Sequence, residues 1–114
     1  MSSPLPLSKV RRAGDFVFLS GELPFTGDGS VPEGIEAQTE LTLQRISATL
    51  ASEGLTLADV VSVAVYLTEK GDFAGFNEVY RRHFADPFPT RTTVIAGLVA
   101  EARIEITVTA QSRA

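Results

Sequence analysis

Residues 60 to 67 read Val-Val-Ser-Val-Ala-Val-Tyr-Leu, a β-branched run that predicts a strand and is apolar on both sides of its alternation. Val61, Val63, Val65 and Leu67 point one way, while Val60, Ala64 and Tyr66 point the other. Phe16, Val17, Phe18 and Leu19 have the same two-sided character, and Gly14-Asp15 predicts a two-residue turn joining them to Val10-Arg11-Arg12. Beyond a Gly-, Asp- and Ser-rich loop at 25–32, Ile35, Thr39, Leu43, Ile46 and Leu50 recur at spacings of four and three. They predict a helix over 33–53, stopped by Gly54 in the left-handed conformation. After a short turn at Thr56-Leu57-Ala58-Asp59, the strand at 60–67 leads to Asp72, the expected cap of a second helix. That helix carries Phe73, Phe76, Tyr80 and Phe84 in one stripe and ends before Pro87. Segments 90–97 and 103–110 are expected as a closing pair of strands.

The order β-β-α-β-α-β-β predicts an α+β fold with both helices on one face of a mostly antiparallel sheet. Two helices cover one face only, and the two-sided strands leave the other apolar. Other subunits are expected to cover it, most simply around a closed symmetry axis.

Composition narrows the function classes. A chain of 114 residues is expected to be a single domain spanning 1–114 with its own core. No apolar run approaches the ~20 residues of a membrane span, and no basic stretch followed by an apolar one opens the chain as a secretory signal would, so a soluble, cytoplasmic protein without a membrane partner is expected. With no cysteine, disulfides, thiolate nucleophiles and zinc–thiolate sites are excluded together. A formal net charge of -4 without a basic block argues against nucleic acid.

Two polar residues interrupt otherwise apolar strands: Arg91 in Pro89-Thr90-Arg91-Thr92-Thr93-Val94 and Glu105 in Arg103-Ile104-Glu105-Ile106. A guanidinium fork grips a carboxylate bidentately, and a carboxylate orients or deprotonates a water, so the pair suggests a small anionic substrate meeting water. The alternative is that each makes an ordinary surface or interface salt bridge. Alternation places Glu105, Thr107 and Thr109 away from Ile104, Ile106 and Val108, and groups Arg91 with Thr93 and Ile95. In a simple hairpin Glu105 would fall opposite about Ile95, ~13 Å along the ladder from Arg91. A shared site then needs convergence on a ligand, a bulge, or donation from two subunits. Ser20-Gly21 would let a ligand approach the backbone closely, or simply ends a strand. Asn77 and Tyr80 reach a site or close the helix–sheet interface, and His83 reads as a solvated residue late on the second helix. A serine triad, a histidine-rich metal site and a P-loop all lack parts, since Gly27-Asp28-Gly29 has no lysine or flanking strand.

The chain resembles the Rid (YjgF-type) family, whose RidA branch comprises reactive-intermediate deaminases. The resemblance rests on Arg12-Ala13-Gly14-Asp15-Phe16-Val17-Phe18-Leu19-Ser20-Gly21, Leu57-Ala58-Asp59-Val60-Val61, Val65-Tyr66-Leu67-Thr68, Asp72-Phe73-Ala74-Gly75-Phe76-Asn77-Glu78-Val79-Tyr80, the Pro89–Val94 stretch and Ile104-Glu105-Ile106. It implies a chorismate-mutase-like homotrimer with clefts between subunits and no metal or organic cofactor. It further implies hydrolysis of a 2-imino acid, or its 2-aminoacrylate-type enamine tautomer, to a 2-oxo acid and ammonia. In that branch Arg91 would hold the substrate carboxylate and Glu105 the hydrolytic water. Ser20, the Gly21 and Thr93 backbones would line the cleft, and Asn77 would enter from the neighbouring subunit. Two positions depart from the branch: Leu7 stands where a tyrosine is usual, removing a polar tip from the substrate side, and Thr93 replaces the usual cysteine. The loss at Leu7 motivates a second expectation, a non-catalytic trimer that binds a metabolite and reports it to a partner. Ribonuclease activity, attached to some relatives, fits poorly with the acidic charge and one histidine.

Overall fold

A computed structural model describes residues 5–112. Its order is β1 (Val10–Ala13), β2 (Phe16–Leu19), α1 (Ile35–Ser52), a 3-10 turn at Leu57–Asp59, β3 (Val60–Leu67), a second 3-10 turn at Lys70–Asp72, α2 (Phe73–His83), β4 (Thr90–Ile95) and β5 (Ile104–Gln111). The expected α+β architecture is present: one five-stranded sheet, antiparallel except for a single parallel pair, with α1 packed against α2 and β5. Gly14 turns the first hairpin at φ 60° and Gly54 follows α1 at φ 77°, conformations that a side chain would strain.

The sheet order is β1-β2-β5-β3-β4, so the expected closing hairpin does not form. β3 lies between the last two strands, antiparallel to β5 and parallel to β4. Its two apolar sides suit this central place, and a parallel neighbour requires a crossover, which α2 supplies. A second correction concerns the start of β3. Val60 pairs with Ala110 and Ser62 with Thr109, so two residues of β3 span one of β5. The bulge absorbs Val61 and turns Val60, rather than Val61, into the core beside Val63, Val65 and Leu67.

One side of the sheet, built from Val17, Leu19, Val63, Val65, Ile104, Ile106 and Val108, meets Leu43, Ile46, Leu50 and Phe76 of the helices in a single core. Phe73 is excluded from that core and is 45% exposed. Asp72 does not cap α2 with its side chain. Its buried carboxylate instead accepts a fork of hydrogen bonds from Arg103 Nε at 2.8 Å and Nη2 at 2.6 Å, tying the start of α2 to the start of β5. On the opposite face Phe16, Phe18, Tyr66 and Val94 are 37% to 45% exposed, the apolar surface foreseen from two-sided alternation. Among the described residues no helix is long and apolar enough to cross a membrane.

Candidate functional site

Arg91 pairs in register with Val63, whose side chain is buried under the helices, so it projects on the helix side of the edge strand β4. There it meets the aromatic stripe of α2. The guanidinium carbon lies 4.8 Å from the ring centroid of Tyr80, 5.0 Å from that of Phe76 and 5.8 Å from that of Phe73. Such rings hold a cation in place without neutralising it. Nη1 donates to Asn77 Oδ1 at 2.9 Å, and no carboxylate pairs with Arg91 among the described residues. The charge is therefore positioned and available. A cavity of about 320 Å³ opens beside it, lined by Asn77, Tyr80, Arg81, Phe88, Pro89 and Arg91. Burial pushes the Tyr80 hydroxyl pKa up, with the nearby Arg91 charge opposing, and that hydroxyl has no hydrogen-bond partner among the described residues.

Thr93, two residues along the same face, borders a neighbouring hollow of about 270 Å³ with Leu67, Lys70, Phe73 and Ile95. Its hydroxyl is likewise buried and has no hydrogen-bond partner among the described residues.

Glu105 stands elsewhere. It pairs with Tyr66, the exposed side of β3, and so projects on the open face. Its carboxylate makes no hydrogen bond or ion pair among the described residues. It lies directly over Gly21: a Cβ there would run into Glu105 Oε2 and reach its Cδ at 3.0 Å and Thr107 Oγ1 at 3.2 Å. The strand geometry explains this proximity. Phe18 pairs with Thr109 and Glu22 with Ile106, so four steps along one chain match three along the other, and the extra residue is taken up around Ser20-Gly21. A side chain here would push the Glu105 carboxylate from its position, and the Gly21 N–H donates to no group among the described residues. The Ser20 hydroxyl donates to the Ser8 carbonyl at 2.6 Å, which brings the segment containing Leu7, itself 62% exposed, to this half.

The residues singled out in the sequence thus fall into two groups, Arg91, Asn77 and Thr93 on one side and Glu105, Gly21, Ser20 and Leu7 on the other. Asn77 belongs with Arg91 in the same chain. Arg81 was not anticipated, because an arginine late on an exposed helix reads as solvated; the available signal was its position four residues after Asn77, one turn on along the same face. His83 is not merely solvated: its Nε2 lies 2.8 Å from Glu40 Oε1, joining α2 to α1. Hydrogen bonding to His83 is the main cause holding the Glu40 carboxyl below its ordinary pKa. Among the described residues no three His, Asp or Glu side chains gather as a metal site would need.

The family model described as "Endoribonuclease L-PSP" matches residues 2–112. The chain is 37% identical over 94 residues to "Protein mmf2, mitochondrial" of Schizosaccharomyces pombe, covering 82% of this chain and 75% of that protein. It is 34% identical over 98 residues to the Escherichia coli K12 protein named "Putative reactive intermediate deaminase TdcF", covering 82% and 76%. Solved structures agree in fold. RidA from Psychrobacter sp. PAMC 21119 superposes with a TM-score of 0.89 at 32% identity, over 96% of this chain and 91% of that one. Escherichia coli TdcF with bound serine gives 0.87 at 30% identity, over 96% and 90%.

Proposed function

The chain belongs to the endoribonuclease L-PSP family, the YjgF/RutC/RidA proteins, and on that premise we propose that it hydrolyses small 2-imino acids, or their 2-aminoacrylate-type enamine tautomers, to 2-oxo acids and ammonia. The observation that carries the reading is the guanidinium of Arg91, fixed by three rings and one carboxamide yet without a carboxylate partner among the described residues, at the mouth of a cavity. A small carboxylate-bearing metabolite is the ligand such a group suits, and the relative TdcF has been crystallised with serine, an α-carboxylate, bound.

The active unit is a homotrimer whose clefts join two half-sites. One protomer gives Arg91, Asn77 and Thr93; its neighbour gives Glu105, Gly21 and Ser20. The exposed apolar face with Phe16, Phe18, Tyr66 and Val94 supports such an association. Relative to Glu105, Asn77 then does come from the neighbouring subunit, together with Arg91.

Chemistry follows from position. Arg91 holds the substrate carboxylate and fixes the adjacent imine carbon. Glu105 orients a water towards that carbon and takes its proton as the C–O bond forms. Glu105 gives that proton to the imine nitrogen to complete the tetrahedral amino alcohol, and transfer of the hydroxyl proton to the amino group then lets the C–N bond break and ammonia leave as the carbonyl forms. The Gly21 N–H is free to donate to the ligand. This chemistry asks for no metal and no organic cofactor, because a 2-imino acid already hydrolyses in water.

The test is ammonia release from 2-iminopropanoate and 2-iminobutanoate generated in situ by an amino-acid oxidase. Acceleration by the wild type that is lost in Arg91→Ala is expected. Equal rates for both proteins end the assignment. A second reading, a trimer that binds the metabolite and signals without turnover, is favoured by one observation: Leu7 gives the Ser20 side an exposed apolar group where deaminases resembling this chain carry a tyrosine. Calorimetric binding of 2-oxo acids combined with no acceleration would select it. Ribonuclease activity draws no support from the site, since His83, the one histidine, is bonded to Glu40 and borders a different hollow.

A further inference from the structure

The cavity beside Arg91 is lined by a second arginine. Arg81 comes from the last turn of α2, one turn beyond Asn77, and lines the same space of about 320 Å³ as Arg91. Like Arg91 it has no ion-pair partner among the described residues. Two arginines bordering one small cavity bring like charges to the same region, a repulsion that a bound anion offsets. Each guanidinium presents a planar fork suited to one carboxylate. Between them the wall is apolar or neutral: Phe88, Pro89, the ring of Tyr80 and the carboxamide of Asn77. A monocarboxylate would satisfy one fork and leave the other facing an apolar chain.

We infer that this cavity selects a dianionic substrate, a 2-imino dicarboxylic acid whose α-carboxylate sits on Arg91 and whose side-chain carboxylate sits on Arg81. The inference rests on the placement of the substrate carboxylate at Arg91 and adds the substrate class. Arg81 is a specificity-determining residue in it, distant from the bond that breaks. The reaction that supplies such a substrate is an oxidation of an acidic 2-amino acid at its α-carbon.

Two five-carbon 2-oxo acids that differ only in the terminal group, 2-oxoglutarate and 2-oxopentanoate, separate the possibilities by calorimetry on the wild type, Arg81→Gln and Arg81→Lys. Ammonia release from the matching imines, formed in situ from glutamate and norvaline, is measured in parallel. The wild type is expected to bind the dicarboxylate at least about ten-fold more tightly, a difference worth one charge-assisted contact. In Arg81→Gln that preference should collapse towards one, and Arg81→Lys should retain part of it. Equal or weaker binding of the dicarboxylate by the wild type overturns the inference. So does a loss in Arg81→Gln that falls on both acids alike. In either case binding that is lost in Arg91→Ala, measured alongside, leaves the anchoring role standing. Binding with the expected preference but without turnover of either imine upholds the inference and removes the deaminase reading. Binding of neither acid together with no acceleration of ammonia release removes both.

Discussion

Arg91 and Glu105 lie on opposite faces of one sheet, in register with Val63 and Tyr66 of the strand between them. Two strand spacings and three residues of rise place their Cα atoms about 14 Å apart. Neither side chain can cross the sheet. A water held by Glu105 therefore cannot reach a carboxylate held by Arg91 of the same chain, and every account in which both act on one substrate requires a second protomer.

The fork of Arg91 should matter beyond its charge. Arg91→Lys keeps the cation but loses the bidentate geometry and the flat stacking on Tyr80 and Phe76. A fall in kcat/KM on the order of 10-fold or more is expected for Arg91→Lys, and on the order of 100-fold or more for Arg91→Ala. Arg91 is exposed at the sheet edge, so the thermal midpoint should shift little in either. A large loss of midpoint in both variants would assign Arg91 to structure instead.

Gly21→Ala tests the other half alone. The added methyl would meet the far end of the Glu105 side chain, which can swing aside, so folding should survive while the carboxylate is displaced. The expected outcome is a fall in kcat on the order of 10-fold or more with KM nearly constant, because the substrate carboxylate is held elsewhere. Unchanged kcat would show that the position of Glu105 over Gly21 has no part in the reaction.

Much of this arrangement was legible in the sequence. Alternation in Ile104-Glu105-Ile106 already turned Glu105 away from the core, and the same parity grouped Arg91 with Thr93. What alternation leaves open is which strand lies beside which. Each strand has two faces and two edges whatever its neighbours, so an ordinary hairpin of β4 with β5 satisfied the local pattern as well as the observed flanking of β3. The Val60–Ser62 bulge was hidden for a related reason, since a run of two valines supplies an apolar side chain to the core in either register. Arg81 was missed because periodicity sorts residues by burial, and an exposed arginine late on a helix carries no sign of what it borders.

Tyr80 gives a prediction on stability and pH. Its hydroxyl is buried without a partner, so Tyr80→Phe should cost nothing and stabilise the unliganded protein by up to about 1 kcal/mol. Burial raises the folded-state pKa above the ordinary 10.0, so the folded chain keeps the proton that the unfolded chain gives up. The contribution is complete below pH 10 and is lost as pH rises from there through the folded value. Denaturant melts at pH 8 and pH 11 should show the wild type losing more stability across that interval than Tyr80→Phe. Identical losses would mean that Tyr80 titrates as an exposed tyrosine does.

The proposed division of the site between protomers is tested most directly by mixing damaged chains. Arg91→Ala removes one half-site and Glu105→Gln the other, and each alone should be inactive. If the active unit is the proposed homotrimer, differently tagged copies, co-expressed and purified through both tags, give trimers containing both chains. In a closed ring each cleft takes its arginine half from one protomer and its glutamate half from the next. Whichever chain is in the majority, one cleft of the ring then receives an intact arginine from the Glu105→Gln chain and an intact glutamate from the Arg91→Ala chain. Activity near about one-third of wild type is expected in those mixed trimers. If both residues served one substrate from a single protomer, every mixed trimer would stay as inactive as its parents, because no chain in it carries both groups intact.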